Sequence, residues 1–394
     1  MKLLFLIADG MGGWPIKELG NKTTMEAAHT PNMDMLAKKG IVGRCRTVPA
    51  TMPPGSDVAN MSLLGFDPEK FHTGRGPIEA AAQGLKLNPD DLVWRLNLVN
   101  LSDISADGTM YDYSAGHIST DKSVPLVEML QKELGNDEFT FYPGIQYRHL
   151  LVHKGGAKKL ESKLAINPPH DITDKPISAD IEEYGKSPLM TKLLQDSAKL
   201  LKNNGTKAVS IWPWGQGTPL LLTNFEEKYS MKGAVISAVD LIKGLGRASG
   251  LEVLEVEGAT GLVDTNYAGK VEATLKFLEH GDFAFVHLEG PDESGHMGSV
   301  EDKVKSIERF DAQIVGPLLK KYPVDQASYL ITCDHFTPIE TKTHDAAPVP
   351  FILASKKCNG STGLDSFSEK NAKSTGVIQD KGYELMQWVI DLTS

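Results

Sequence analysis

Pro53-Pro54-Gly55-Ser56-Asp57-Val58-Ala59-Asn60-Met61-Ser62-Leu63-Leu64-Gly65 reads as a stiff approach, a tight turn and a short helix. The two prolines disfavour helix before them. Gly55 lets the backbone turn tightly or come close to a ligand. Ser56 stands where an N-cap belongs, and Gly65 where a helix stops. A hydroxyl at that place lies beside free N–H groups and the positive end of the helix dipole, a setting that suits a phosphate. Taken alone, a serine that merely caps its helix is the better reading. The rest of the chain shifts that balance.

Upstream, the apolar run from Lys2 to Ala8 predicts a buried strand, with Asp9-Gly10-Met11-Gly12-Gly13 as the loop at its carboxyl end. Thr30 and Pro31 predict the cap and first residue of a helix through Lys39, stopped by Gly40. A short strand from Val42 to Val48 leads into the Ser56 turn. Downstream, Thr73-Gly74-Arg75-Gly76-Pro77 is a Gly-rich loop that opens a helix from Ile78 to Gln83. Between residues 88 and 184 the texture changes. Strands from Val93 to Val99 and Met110 to Ser114 are joined by the turn signal Asp107-Gly108. A helix follows from Val124 to Leu134, then strands from Phe139 to Tyr142 and Tyr147 to His153.

From Ser187-Pro188 onward, helix and strand alternate again. Helices are predicted from Leu189 to Leu201 and Lys232 to Leu245, and strands from Ala208 to Trp212 and Val253 to Val256. The stretch Trp212-Pro213-Trp214-Gly215 reads as core and turn. A strand from Phe283 to Leu288 precedes a long helix capped by Ser299, with Val304, Ile307, Ile314 and Leu318 on one apolar face. Strands from Ser328 to Thr332 and Pro350 to Leu353 and a last helix from Tyr383 to Asp391 complete the chain. Such alternation implies an α/β fold with a mostly parallel sheet and helices on both faces. The expected organisation is a discontinuous core domain, residues 1-87 and 185-394, carrying a smaller inserted α+β domain, residues 88-184.

Bulk properties narrow the classes. A chain of 394 residues suits two domains or one large core with an insertion. The net charge of -10 argues against a nucleic-acid binder, which usually shows a basic face, but leaves room for an anionic small substrate held by a local cluster of Arg and Lys. Cys45, Cys333 and Cys358 are odd in number and widely spaced, which points to a reducing cytoplasm. No apolar run is long enough to span a bilayer, so no membrane partner is expected. The apolar start reaches Asp9 too soon for a signal peptide.

Acidic residues and histidines recur just beyond the predicted core strands. Asp9 follows the first strand. Asp292 and His296 follow Phe283 to Leu288, with Glu289 beside them. Asp334 and His335 follow Ser328 to Thr332, and His344 precedes Val349-Pro350-Phe351. In an open α/β sheet, ligands bind outside the carboxyl ends of the strands, so these residues are expected to converge. Any one of them is ordinary in a turn; their shared position is what counts. Three histidines and three aspartates suit Mn²⁺ or Zn²⁺ far better than Ca²⁺. With the Ser56 oxygen they suffice for two ions, and a two-metal site can activate a serine for phosphoryl transfer.

The set Ala8-Asp9-Gly10-Met11, Pro54-Gly55-Ser56-Asp57-Val58-Ala59, Thr73-Gly74-Arg75-Gly76-Pro77-Ile78-Glu79-Ala80, Asp292-Glu293-Ser294-Gly295-His296, Asp334-His335 and His344 through Pro350 resembles the alkaline phosphatase superfamily. Within it, the chain resembles the archaeal-type, cofactor-independent phosphoglycerate mutases over nearly its full length. The resemblance implies an alkaline phosphatase-like core and Ser56 as a nucleophile that carries the phosphoryl group as phosphoserine. It implies one divalent metal ion held by Asp9, Ser56, Asp334 and His335, and a second held by Asp292, His296 and His344. Mn²⁺ is the expected ion, with Zn²⁺, Co²⁺ or Mg²⁺ as alternatives. The implied reaction moves phosphate between the 3- and 2-hydroxyls of glycerate, a step of glycolysis, with no bisphosphoglycerate. The inserted domain would close over the small phosphorylated substrate.

A substrate with a phosphate and a carboxylate calls for guanidinium groups. Arg75, Arg95 and Arg148 are the candidates, with His117, His149 and Lys270 beside them. Archaeal mutases more often carry arginine where His117 stands. Tyr147-Arg148-His149-Leu150 and Pro169-His170-Asp171 look closer to a bacterial branch proposed to act as a homoserine kinase, in which Asp171 or Asp112 would bind an amine. A plain phosphatase on the same metal core is the other alternative.

Overall fold

The computed structural model describes residues 2–358 and 362–394. The chain divides into two compact units, Met1–His72 with Leu222–Ser394, and Thr73–Leu221.

The first unit is built on an eight-stranded sheet. Its strand order is Glu252–Val253, Gly233–Ile236, Phe283–Leu288, Lys2–Ala8, Ala327–Thr332, Val349–Ala354, Ile41–Cys45 and Ile378–Gln379. Neighbouring strands are parallel except for Val349–Ala354, which runs against both of its partners. The central strands are mostly apolar, and Leu3 through Ala8 and Phe283 through Leu288 are buried without alternation. That is the signature of strands covered on both faces, each buried Leu, Ile or Phe adding about 1.5–3 kcal/mol. In register, Leu4 lies opposite both Ala284 and Tyr329. Three adjacent parallel strands therefore end at one edge, and Asp9, Glu289 and Asp334 lie just beyond their carboxyl ends.

The mixed α/β architecture agrees with the expected class, and several local readings change. The segment predicted as a helix from Lys232 to Leu245 holds a strand, Gly233–Ile236, before its helix, Asp240–Ala248. Gly233, Ala234, Val235 and Ile236 are all buried, so this apolar run sits between sheet neighbours rather than on a helix face. The Asp292–His296 segment lies on a helix, Gly290–Met297, and not in a loop. A helix at Tyr267–Leu278 escaped the sequence reading. The long helix capped by Ser299 is broken by one π-turn, Asp311–Val315. Asp311 there accepts from Met33 N–H at 2.7 Å and Asn32 N–H at 3.2 Å. It thereby satisfies the first turn of Pro31–Lys39, where the Thr30 side chain makes no cap.

The second unit has a sheet ordered Phe139–Tyr142, Arg148–His153, Leu92–Leu101, Thr109–Asp112 and Lys175–Pro176, with Ser210–Gly217 also paired to Leu92–Leu101. The pairs along Leu92–Leu101 are antiparallel. The strand predicted from Ala208 to Trp212 thus belongs to this sheet and runs on through Pro213 to Gly217, where a turn was expected. Asn97 faces Trp212 and Val99 faces Ser210. Trp94, Leu96, Leu98, Ile211 and Trp212 form the core with Val127 and Leu130. The unit is wider than residues 88-184. The Gly-rich stretch belongs to it, its helix starting at Arg75 rather than Ile78, and it packs closely: a Cβ at Gly76 would sit 2.9 Å from the Val93 carbonyl.

Candidate active site

Asp9 follows the central strand, and the next residue, Gly10, has φ +60°. Its N–H donates to Asp334 Oδ1 at 3.1 Å, and a Cβ there would lie 2.7 Å from Asp292 Oδ1. Only glycine serves at that position. Asp292 and His296 are four apart on the Gly290–Met297 helix and so share one face.

Ser56 is the first residue of the helix Ser56–Leu63, not its cap. Gly55 takes the cap position, with extended backbone and no side-chain bond. The Ser56 hydroxyl is therefore left to face His335 Nε2 at 3.0 Å. One turn on, Asn60 Nδ2 donates to the Ser56 carbonyl at 2.9 Å and to Asp334 Oδ2 at 2.8 Å. Asn60 was missed in the sequence; its spacing of four from Ser56 on a helix was the signal.

The structure brings all seven expected ligand residues together. His335 Nε2 lies 3.5 Å from both Asp9 Oδ1 and Asp334 Oδ2. Asp292 lies 3.2 Å from His296 Nε2 and 3.5 Å from His344 Nε2. The His335 and His344 rings stack at 3.9 Å and join the two groups. Asp9, Asp334 and His335 form one set of mutually close donor atoms, and Asp292, His335 and His344 another.

These residues fit divalent cations. Burial first, then the Asp334 and Asp292 charges, push the Asp9 carboxyl well above the usual carboxylate range. Asp9 Oδ1 is buried with no hydrogen-bond partner among the described residues. The Nε2 atoms of His296 and His344 face each other at 3.0 Å, as donor atoms around a shared ion do. His296 Nδ1 lies 2.9 Å from the Lys342 carbonyl, a contact that directs its hydrogen there and leaves Nε2 as a ligand atom. The hydrogen bond to Asp292 raises His296 to about 9. Burial opposes ionisation of Asp292, yet hydrogen bonds from His296 and His344 hold its carboxyl below the usual range. A mixed nitrogen and oxygen set of this kind matches borderline divalent ions.

The other expected site residues divide. In the Thr73–Leu221 unit, Arg95 Nη2 lies 2.9 Å from Glu79, and its guanidinium stacks 4.3 Å over Trp214. Burial lowers its pKa, and the Arg75 and Arg148 charges add to that against Glu79, so the three arginines share one field. Arg148 and Arg75 are exposed. His117 is exposed at the end of a turn in which Ala115, Gly116 and His117 have φ of +50°, +77° and +50°. Asp112 holds that turn by accepting from the Ser114 N–H at 2.8 Å and the Gly116 N–H at 2.6 Å. Tyr113 packs edge-on against His117, Tyr147 and His170. Asp171 is exposed, 3.6 Å from His170.

Two of the expected residues lie in the interior instead. His149 is buried and accepts from the Gly144 N–H at 2.9 Å; burial lowers it to about 4. Lys270 is fully buried and bonded to Glu289 at 2.9 Å and to the His287 carbonyl at 2.7 Å. Its ammonium is spent on internal partners, the last-but-one residue of the strand Phe283–Leu288 and the residue just past its end, which the sequence did not announce.

A family model described as 2,3-bisphosphoglycerate-independent phosphoglycerate mutase matches residues 37–206. A Methanosarcina barkeri protein named 2,3-bisphosphoglycerate-independent phosphoglycerate mutase is 45% identical over 389 residues, covering 95% of each chain. A solved structure of a Pyrococcus horikoshii protein superimposes with a TM-score of 0.82 at 29% identity, covering 99% of this chain and 97% of that one. The cofactor-independent phosphoglycerate mutase of Thermoplasma acidophilum gives 0.69 at 26% identity over the whole of both. Identity of this size across almost the full length shows that the chain belongs to the 2,3-bisphosphoglycerate-independent phosphoglycerate mutase family.

Proposed function

We propose that the chain interconverts 3-phosphoglycerate and 2-phosphoglycerate through a phosphoserine at Ser56, without bisphosphoglycerate. The observation that carries this reading is the Ser56 hydroxyl, 3.0 Å from His335 Nε2 at the meeting point of the two donor sets. Asp9, Ser56, Asp334 and His335 would hold one divalent ion, and Asp292, His296 and His344 the other. Manganese is the expected species. Bound there, the ions would supply a Lewis acid that lowers the pKa of the serine hydroxyl and offsets phosphoryl charge.

Everything else falls to the chain. Ser56 Oγ forms a bond to phosphorus as the ester bond to the 3-oxygen breaks, and that oxygen leaves as a hydroxyl. The 2-oxygen then takes the phosphoryl group, and Ser56 regains its proton. Asn60 fixes the Ser56 carbonyl and Asp334, which holds the nucleophile's backbone still during both transfers. The free N–H groups of the Ser56–Leu63 helix favour the anion at its start. Arg75, Arg95 and Arg148 are the groups we assign to the substrate's negative charges, with His117 beside them. The Thr73–Leu221 unit is accordingly the proposed substrate-binding unit. We place the reaction in glycolysis and the chain in the cytoplasm.

The test is interconversion of 3- and 2-phosphoglycerate by purified protein with Mn²⁺ and no bisphosphoglycerate. A turnover of about 1 to 1000 per second is expected. Release of inorganic phosphate without interconversion would replace the mutase reading with a phosphatase. Phosphorylation of homoserine from ATP, again without interconversion, would replace it with a kinase.

A further inference from the structure

Behind Asp9 runs a line of buried ionisable side chains that the proposed reaction does not use. Lys270 and His287 are fully buried, and Glu289 is 2% exposed. Lys270 Nζ lies 2.9 Å from Glu289 Oε2. Glu289 Oε1 accepts from the Ser237 hydroxyl at 2.7 Å and the Ala238 N–H at 2.8 Å, and lies 3.2 Å from His287 Nδ1. His287 Nε2 lies 3.4 Å from Asp9 Oδ2. The Ser237 proton is directed at Glu289, so the hydrogen between His287 and Glu289 is carried by Nδ1. The imidazole is thereby fixed in plane and rotation, with its other nitrogen against one oxygen of Asp9.

Asp9 presents its two oxygens to different partners. Oδ2 lies 3.4 Å from His287 Nε2 and Oδ1 lies 3.5 Å from His335 Nε2; both are contacts at ion-pair distance, and neither Asp9 Oδ1 nor His287 Nε2 has a hydrogen-bond partner among the described residues. Burying charged groups in a core is expensive, and apolar residues of the same volume often give equal or better stability. An extended charged chain that ends on a metal-ligating carboxylate has a use that an apolar core lacks, which is to fix the carboxylate's rotation.

We propose that Glu289 and His287 are positioning residues that hold Asp9 with Oδ1 turned toward Ser56 and His335, and that Lys270 anchors Glu289 for this purpose. The proposal rests on the reading of Asp9 as a metal ligand. Outer partners of this kind are worth about ten- to a hundredfold in metal affinity. A purely structural role would tie the Tyr267–Leu278 helix to the sheet and leave metal affinity alone.

The experiment is calorimetric titration of the full-length, metal-free chain with Mn²⁺, beside its thermal melt. Glu289→Gln keeps the shape and removes the charge; it is expected to bind Mn²⁺ about ten- to a hundredfold more weakly. Because it strands the Lys270 ammonium, the paired change Lys270→Met with Glu289→Gln is measured too. That variant is expected to melt near the parent and to show the same loss. Parental Mn²⁺ affinity in the folded double variant overturns the proposal. Asp9→Asn separates the two layers: a large loss there with no loss in the double variant defeats only the positioning role. Parental affinity in Asp9→Asn defeats the ligand reading itself, and the proposal with it.

Discussion

Ser56 owes its proposed role to one residue's shift along a helix. As a cap, its hydroxyl would be bound to the backbone of its own first turn. As the first helical residue after Gly55, it points away from that turn and into the ligand set. Ser56→Ala should therefore cost little stability while lowering interconversion by at least about a thousandfold, the scale seen when a nucleophile is removed. Rate assays beside far-ultraviolet circular dichroism would check both halves, and a folded, active variant would end the phosphoserine reading. Gly65 shows the other limit at this scale. It has φ +84°, and a Cβ there would meet the Tyr229 hydroxyl. Gly65→Ala should destabilise the chain by about 1–3 kcal/mol in urea unfolding.

At the scale of elements, helix ends and strand ends do most of the positioning. The Gly290–Met297 helix turns two residues of a short motif into neighbours on one face. A second junction ties the N-terminal loops to the helix Glu369–Ser374. Glu369 accepts from the Gly13 N–H at 3.0 Å and the Thr23 hydroxyl at 2.7 Å. Burial is the main cause that raises Glu369 to about 7, well above its ordinary 4.5. A carboxyl with a raised folded-state pKa favours the folded chain while protonated. Its contribution is present below about pH 4.5 and is lost as pH rises through about 7. Glu369→Gln, which stays neutral, should remove about 1–2 kcal/mol of the stability decline between pH 5 and 8, after discounting for the group's partial exposure. Urea melts of both proteins across that window measure it; identical slopes would contradict the assignment.

For the whole molecule, a ligand that binds only the folded state stabilises it by mass action. Free Mn²⁺ at a hundred times its dissociation constant should add about 2.7 kcal/mol. The midpoint of thermal unfolding should rise on Mn²⁺ addition and return when a chelator is added. Scanning calorimetry that finds no dependence on Mn²⁺ would remove the metals from this site.

Much of this was legible in the chain because the physics is local or periodic. The buried strands at Lys2–Ala8, Phe283–Leu288 and Ala327–Thr332 are mostly apolar runs, and the carboxylates Asp9, Glu289 and Asp334 stand just past their ends. Strand ends in a parallel sheet share an edge, which is why ligand candidates hundreds of positions apart could be named together. Local pattern failed where partners are distant. An apolar run such as Gly233–Ile236 carries no period that separates strand from buried helix, and its sheet neighbours decide. Ser210–Gly217 joined the second sheet because Leu92–Leu101 offered it a free edge to pair with.

The sequence by itself determined the α/β class and named the metal-ligand candidates, since residue type and position after a strand are enough to state them, while Ser56 became the proposed nucleophile through the family resemblance. Only the tertiary structure decided how Lys270 and His149 are spent, which residue caps the Pro31–Lys39 helix, and that Asp9 is backed by His287 and Glu289. Each of those depends on a buried polar group finding its partner across the fold. A partner supplied by a different element leaves no period, spacing or propensity in the chain to announce it.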